Sequence, residues 1–194
     1  MTDRDNRASP RRDELLDRAY RYVLDHGLAD MSLRPLAAAV GSSPRVLLYL
    51  FGSKDGLVRA LLARARADEL ALLATAAPDP GGDGLAGVAR TTWGWLSADE
   101  HRRLLALWVE AYARSLVEPA GPLADFARRT VDDWLAILAA AQTPARRRTA
   151  AGRAERTLVL AVLRGAVLDL LATGDVERTT AAVDRHLRGI DGGG

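Results

Sequence analysis

Arg45, Val46 and Tyr49 carry the first hint of chemistry in this chain. In a helix that starts at Pro44, a turn of about 100° per residue points Leu47, Leu48 and Phe51 inward beside Pro44. Arg45, Val46 and Tyr49 then face outward, with Leu50 at the margin. A solvated helix normally carries charged or polar residues on that side. An arginine, a β-branched residue and a tyrosine suit a nucleic-acid groove instead. The guanidinium can grip guanine through two hydrogen bonds, the valine methyl can meet a thymine methyl, and the phenol can bond a phosphate oxygen. Lys54, the only lysine, follows Ser53, which is placed to cap the next helix. A cation beside the free N–H groups of a helix start suits a phosphate. The plainer alternative is that these residues form the wet surface of an ordinary bundle.

The elements that must hold this face lie in residues 31–54, MSLRPLAAAVGSSPRVLLYLFGSK. Leu33, Leu36, Ala37 and Val40 follow the i, i+3, i+4, i+7 pattern of one helical face, so a helix is expected over 32–40. Gly41 suits the left-handed residue that ends a helix. Ser43 is a good N-cap, and Pro44 falls at the first helical position, where its missing N–H costs nothing. The second helix is expected over 44–51. Two short helices around a Gly-Ser-Ser turn are the outline of a helix-turn-helix. A preceding helix is expected over 10–26, with Leu15, Leu16, Ala19, Tyr20, Val23 and Leu24 on one stripe and Gly27 as its stop. Glu14–Arg18 and Asp17–Arg21 have the i, i+4 spacing of favourable surface pairs.

The 194 residues, 48% of them hydrophobic, can form one domain or a small one with a larger one. The net charge of +2 is a weak sign of a polyanionic partner. Residues 1–56 hold nine Lys and Arg against eight Asp and Glu, so a nucleic-acid face requires the bases to be concentrated. Arg4, Arg7, Arg11 and Arg12, with Arg34, Arg45 and Lys54, can do this, leaving Asp13, Glu14 and Asp17 on another side. The absence of cysteine excludes disulfides and thiolate chemistry. The polar start lacks the apolar core of a signal peptide. The most apolar run, residues 158–171, is interrupted by Arg164 and Asp169 and is shorter than the roughly 20 residues a membrane span needs. A cytoplasmic protein with no membrane partner is expected.

The remainder also reads as helix, over 53–76, 85–97, 99–117, 122–142, 154–173 and 176–188. Residues 78–84 (PDPGGDG) form a turn, the basic stretch 144–152 a solvated loop, and GIDGGG a frayed tail. The fold class is therefore all-α, a three-helix head with a larger helical body. No alternating Val/Ile/Thr-rich stretch suggests a strand.

Residues 15–62, LLDRAYRYVLDHGLADMSLRPLAAAVGSSPRVLLYLFGSKDGLVRALL, resemble the N-terminal domain of the tetracycline-repressor-type (TetR-like) transcriptional regulators. The shared features are Gly27, Ser32 at the start of the second helix, Ala37 with Ala38, Gly41, Phe51, and Ser53 with Lys54. The chain departs from the family pattern at Arg45-Val46-Leu47-Leu48, where a Gly-Thr-Leu-Tyr-type run is usual, and at Gly52, where Pro is usual. The resemblance implies a DNA-binding domain over 1–52 and a ligand-binding and dimerisation domain over 53–194. The implied protein is a ligand-responsive repressor acting as a homodimer on a palindromic double-stranded operator. Ser32, Arg34, Ser42, Ser43, Arg45, Val46, Tyr49 and Lys54 are then the expected DNA contacts.

The resemblance also implies dimerisation through the last two helices. The sequence agrees: residues 158–171 are apolar nearly all round, so that helix must be buried against a partner as well as its own body. A central helix of a monomeric bundle is the alternative. Trp93, Trp108, Tyr112, Phe126 and Trp134 can line a cavity for an apolar or aromatic effector of unknown identity, with Arg164, Glu110 or Asp169 as a polar handle. Each aromatic can equally be core. No cofactor is called for. His26, His101 and His186 form no metal spacing, and no nucleophile elbow, P-loop or dinucleotide fingerprint is present. No enzyme is expected. The second reading is a helical small-molecule-binding or scaffold protein that does not bind DNA.

Overall fold

The computed structural model describes residues 3–28, 31–75 and 84–191, and the side chains of residues 10–28, 31–68, 71 and 84–190. Among the described residues all regular structure is helical. The order is α1 (Asp3–His26), α2 (Leu33–Ala39), α3 (Pro44–Phe51), α4 (Lys54–Thr75), α5 (Gly84–Leu96), a 3-10 turn (Asp99–His101), α6 (Arg102–Val117), α7 (Phe126–Ala140), α8 (Pro144–Arg148), α9 (Ala150–Thr173) and α10 (Val176–Asp191). No described helix is long and apolar enough to cross a membrane.

The helices form two compact units, residues 1–69 with 106–127, and residues 70–105 with 128–194. In the first, Leu15, Ala19 and Val23 of α1 are buried with Leu36, Val40, Leu47 and Leu61 of α2, the α2–α3 turn, α3 and α4. The expected i, i+4 stripe of α1 is thus its core face. Leu107 and Ala111 of α6 are also buried in this unit. In the second, α5, α9 and α10 surround a core in which Trp93, Leu138, Val159, Leu163, Val183 and Leu187 are at most 3% exposed. The Trp93 indole N–H donates to Thr180 Oγ1 at 2.9 Å, which satisfies the one polar atom the ring brings inside.

Several boundaries differ from expectation. α1 begins at Asp3 and carries Pro10 inside it. Proline removes only one i to i−4 bond, and the turns before it persist here. Residues 122–125 are turn, not helix, and α7 starts at Phe126. The buried Ser115 of α6 caps that start, accepting from Ala127 N–H at 3.1 Å. The stretch 144–152 is not a solvated loop. Thr143 caps α8 by accepting from Arg146 N–H, and Thr149 caps α9 by accepting from Gly152 N–H. Arg147 donates to the carbonyls of Ala140 and Gln142 at the end of α7, and Arg156 donates to the Arg147 carbonyl at the end of α8. The buried Gln142 amide donates to Gly152 O and Glu155 Oε2 and accepts from Arg156, so its side-chain oxygen and nitrogen are both paired. The arginines are used as helix caps. Of the expected frayed tail, 189–191 are helical and 192–194 lie outside the described residues; of the expected turn 78–84, residues 78–83 lie outside them and Gly84 begins α5.

Candidate nucleic-acid interface

α3 occupies Pro44–Phe51 as its end signals require. Ser43 is extended and its Oγ accepts from Val46 N–H at 3.3 Å, Pro44 opens the helix, and Gly52 at φ 78° ends it. The preceding turn is a Schellman motif. Gly41 at φ 67° donates its N–H to Ala38 O, and Ser42 N–H reaches Ala37 O at 2.8 Å. Both ends of α3 are therefore set by local hydrogen bonds before packing acts.

Packing then sets the rotation. Leu47 is fully buried and Phe51 is 9% exposed, so the helix leans on those two residues. Tyr49 lies opposite them and is 81% exposed. Leu48, expected inward, is 39% exposed. The inner direction runs between Leu47 and Phe51, so Leu48 sits about 80° off it, as far round as Leu50. Arg45 is exposed and Val46 half-buried beside Tyr49. The outer face thus offers a guanidinium, a phenol and aliphatic methyls, which are donors for base edges and phosphates and apolar contacts for thymine.

The other expected contacts fall around it. Arg34 on α2 and Lys54 at the start of α4 are exposed. Ser53 caps α4 by accepting from Gly56 N–H at 2.9 Å, next to Lys54. Ser32 holds the N-cap position of α2 with extended backbone but makes no side-chain cap bond, so its exposed hydroxyl is not used by the helix. Ser42 is half-buried with its Oγ covered.

Not every arginine expected on this face is free to reach outward. Arg12 lies over the Phe51 ring, 4.9 Å from its centroid. Arg18 pairs with Glu14 and donates to Val40 O at 3.4 Å, bridging α1 to the end of α2. Asp17 pairs with Arg64 of α4 at 2.9 Å; Arg21 reaches only the Asp17 backbone carbonyl, so the expected Asp17–Arg21 pair is absent. Burial, and next the charge of Asp68, pushes the Tyr20 phenol well above its ordinary pKa. The side chains of Arg4 and Arg7 lie outside the described residues.

Sequence reasoning missed Gly56. A Cβ there would lie 2.0 Å from the Phe51 carbonyl oxygen, so α4 can start against the end of α3 only with glycine at this position. The signal was a glycine in the first turn of a helix that needed none for its cap.

The six expected effector contacts divide between the units. Trp93 and Trp134 are core residues of the second unit, and Arg164 is half-buried on α9 there. Trp108 and Tyr112 belong to the first unit and stack with ring centroids 5.1 Å apart; Phe126, at the start of α7, is half-buried in the same unit. Glu110, offered as a polar handle, instead accepts a hydrogen bond from Leu28 N–H at 2.8 Å. Asp169 pairs with Arg178 across the α9–α10 turn through two hydrogen bonds, which hold its carboxyl below the usual carboxylate range. Among the described residues no group of three or more acidic, cysteine or histidine side chains could hold a metal ion.

Comparison with known proteins gives the same assignment as the residues. The profile of the family described as bacterial regulatory proteins, tetR family, matches residues 15–61. No curated protein sequence matches the chain. A TetR-family member from Streptomyces coelicolor is 30% identical, with a TM-score of 0.67, over 91% of this chain and 97% of its own. The multidrug binding protein EbrR, solved with imidazole, is 30% identical, with a TM-score of 0.66, over 91% of this chain and 89% of its own. A Rhodococcus regulator of the same family has a TM-score of 0.76 at 20% identity, over 94% of this chain and 99% of its own, and speaks for the fold. The chain is a member of the TetR family of bacterial transcriptional regulators.

Proposed function

We propose that this regulator is a cytoplasmic, ligand-responsive repressor that acts as a homodimer on a palindromic operator. Residues 1–52 bind the DNA; residues 53–194 bind the effector and pair the subunits. The observation that carries the reading is the outer face of α3, where Arg45 and Tyr49 stand exposed on a helix whose ends are fixed by caps. Ser32, Arg34, Ser42, Ser43, Val46 and Lys54 complete the proposed contact set.

The dimer is supported by α9. Leu158, Ala161, Gly165, Leu168 and Ala172 are all exposed at 3, 4, 3, 4 spacing, with Leu158 at 54% and Leu168 at 47%. Nothing lies within 4 Å of a Cβ built at Gly165, so another helix has room to approach closely. Beside Leu158 a groove of about 360 Å³, lined also by Glu155, His186, Gly189 and Ile190, separates α9 from α10. A second copy of the chain covering both helices buries this surface. Two heads in such a dimer meet half-sites roughly 34 Å apart in successive major grooves.

The effector reading rests on Trp108, Tyr112 and Phe126, which share the first unit. EbrR, 29% identical in its complex with proflavin, supports a flat aromatic molecule as the ligand class. Selection of bound duplexes from random DNA tests the whole. Enrichment of a palindrome supports a dimeric reader, whereas no enrichment favours a helical binding or scaffold protein without DNA-binding activity.

A further inference from the structure

We infer that Glu110 is a positioning residue through which α6 holds the end of α1, and with it the helix-turn-helix, in the arrangement that binds DNA. The inference rests on the DNA-binding reading above and names how that site is controlled. Glu110 Oε2 accepts from Leu28 N–H at 2.8 Å, joining residues 82 apart in sequence. Gly27 is shaped for this contact twice over. Its φ of +76° suits glycine, and a Cβ there would stand 3.2 Å from a carboxylate oxygen of Glu110.

The contact uses only half of the carboxylate. α1 ends at His26, and the C-terminal end of a helix carries partial negative charge. A carboxylate placed there is opposed by the helix and held by the donor at Leu28. Its other oxygen, Oε1, is buried and has no hydrogen-bond partner among the described residues. Glu110 is half-buried, and the covered, unpaired Oε1 offsets part of what the bond to Leu28 contributes. A contact between distant segments whose net contribution is small is one a slight shift can break.

The elements on either side give that shift a route. Trp108 and Tyr112, two residues before and after Glu110 on α6, are the stacked pair proposed to meet an effector. On the far side, α1 supplies Arg18 to the Val40 carbonyl and Arg12 to the Phe51 ring, and so bears directly on α2 and α3. All of these residues belong to one compact unit. A slide or turn of α6 that lengthens the Glu110–Leu28 bond releases the end of α1 and, through it, the seat of the reading helix.

The test uses the full-length protein with Glu110→Ala and Glu110→Gln, read by amide hydrogen exchange and by binding to the duplex that the unaltered protein enriches from random DNA. In the unaltered protein the Leu28 amide is expected to exchange slowly. Glu110→Ala is expected to open the Leu28 amide, speed exchange over residues 33–51, and weaken duplex binding about 10-fold, within the usual range of coupling between sites. Helical content and dimer mass stay unchanged. Glu110→Gln keeps an acceptor and is expected to remain within about 3-fold of the unaltered protein, a rescue that simple space-filling does not demand. The inference is overturned if Leu28 exchanges freely in the unaltered protein, if Glu110→Gln fails as badly as Glu110→Ala, or if Glu110→Ala leaves both binding and exchange over 33–51 unchanged. If no duplex is enriched, the repressor reading fails by itself, and exchange over 33–51 still decides the role of Glu110.

Discussion

α3 and α9 both break the rule that the outer side of a helix is polar, and they break it in different ways. The outer face of α3 sets an exposed tyrosine beside an exposed arginine, over an inner face of Leu47 and Phe51. The exposed stripe of α9 carries only Leu158, Ala161, Gly165, Leu168 and Ala172. Donors beside methyls match the edges of base pairs and the phosphates that flank them. A smooth stripe of small and branched residues matches another helix. One rule-breaking face is therefore suited to a nucleic acid and the other to a copy of the same chain. Both helices are capped at their ends, but α3 is a short element and α9 is a long one whose other faces build the core.

The largest effect that separates the two faces is expected in α9. Leu158→Glu with Leu168→Glu places carboxylates from both copies against each other, at a cost of several kcal/mol in pairing. Sedimentation should then find monomers with unchanged helical content, and binding to a two-half-site duplex should fall with it. A dimer that survives both changes removes α9 from the interface.

Next in size is Gly56→Ala. The added methyl meets the Phe51 carbonyl oxygen at 2.0 Å, and backbone cannot step aside as a flexible side chain can. A loss of about 1–3 kcal/mol is expected from such overpacking, together with weaker duplex binding because the end of α3 is displaced. Thermal unfolding and anisotropy measure the two parts. An unaffected melting temperature contradicts the tight α3–α4 junction.

The smallest effect is acid sensitivity around α9. A hydrogen bond from Arg146 holds the Glu155 carboxyl below its ordinary 4.5, and one from Arg178 holds Asp169 below 3.8. A carboxyl whose pKa is lowered by folding adds stability above its unfolded value, and that stability fades as the pH falls through the folded value. The melting temperature should be flat above about pH 5 and begin to fall below about pH 4. Arg178→Gln should blunt the fall, since it removes the group that holds Asp169 down.

What the sequence revealed followed the range of the forces involved. The start of α3 was legible to the residue because Ser43 and Pro44 act within one turn of where they stand. The same signals stood at Thr143-Pro144 and at Thr149, but the arginine run between them read as a solvated stretch. Arg147 donates to carbonyls at and past the end of α7 and Arg146 pairs with Glu155 of α9, and those partners become visible only when the helices are assembled. Leu48 was misplaced because inward and outward on a short helix are decided by where Leu47 and Phe51 find their neighbours. Gly56 and Glu110 act across packed segments, which local periodicity does not report. The effector contacts were chosen by residue type alone, and aromatic rings serve a core as readily as a ligand, as Trp93 with its bond to Thr180 illustrates.

The most direct test of the account is the affinity of Arg45→Ala with Tyr49→Phe for the duplex enriched by the unaltered protein. Both side chains are exposed, so fold and dimer mass should not change. The account predicts that sequence-specific binding falls by about 100-fold, the combined loss of one bidentate base contact and one phosphate contact. Unchanged affinity and unchanged sequence preference in a folded double variant would contradict it.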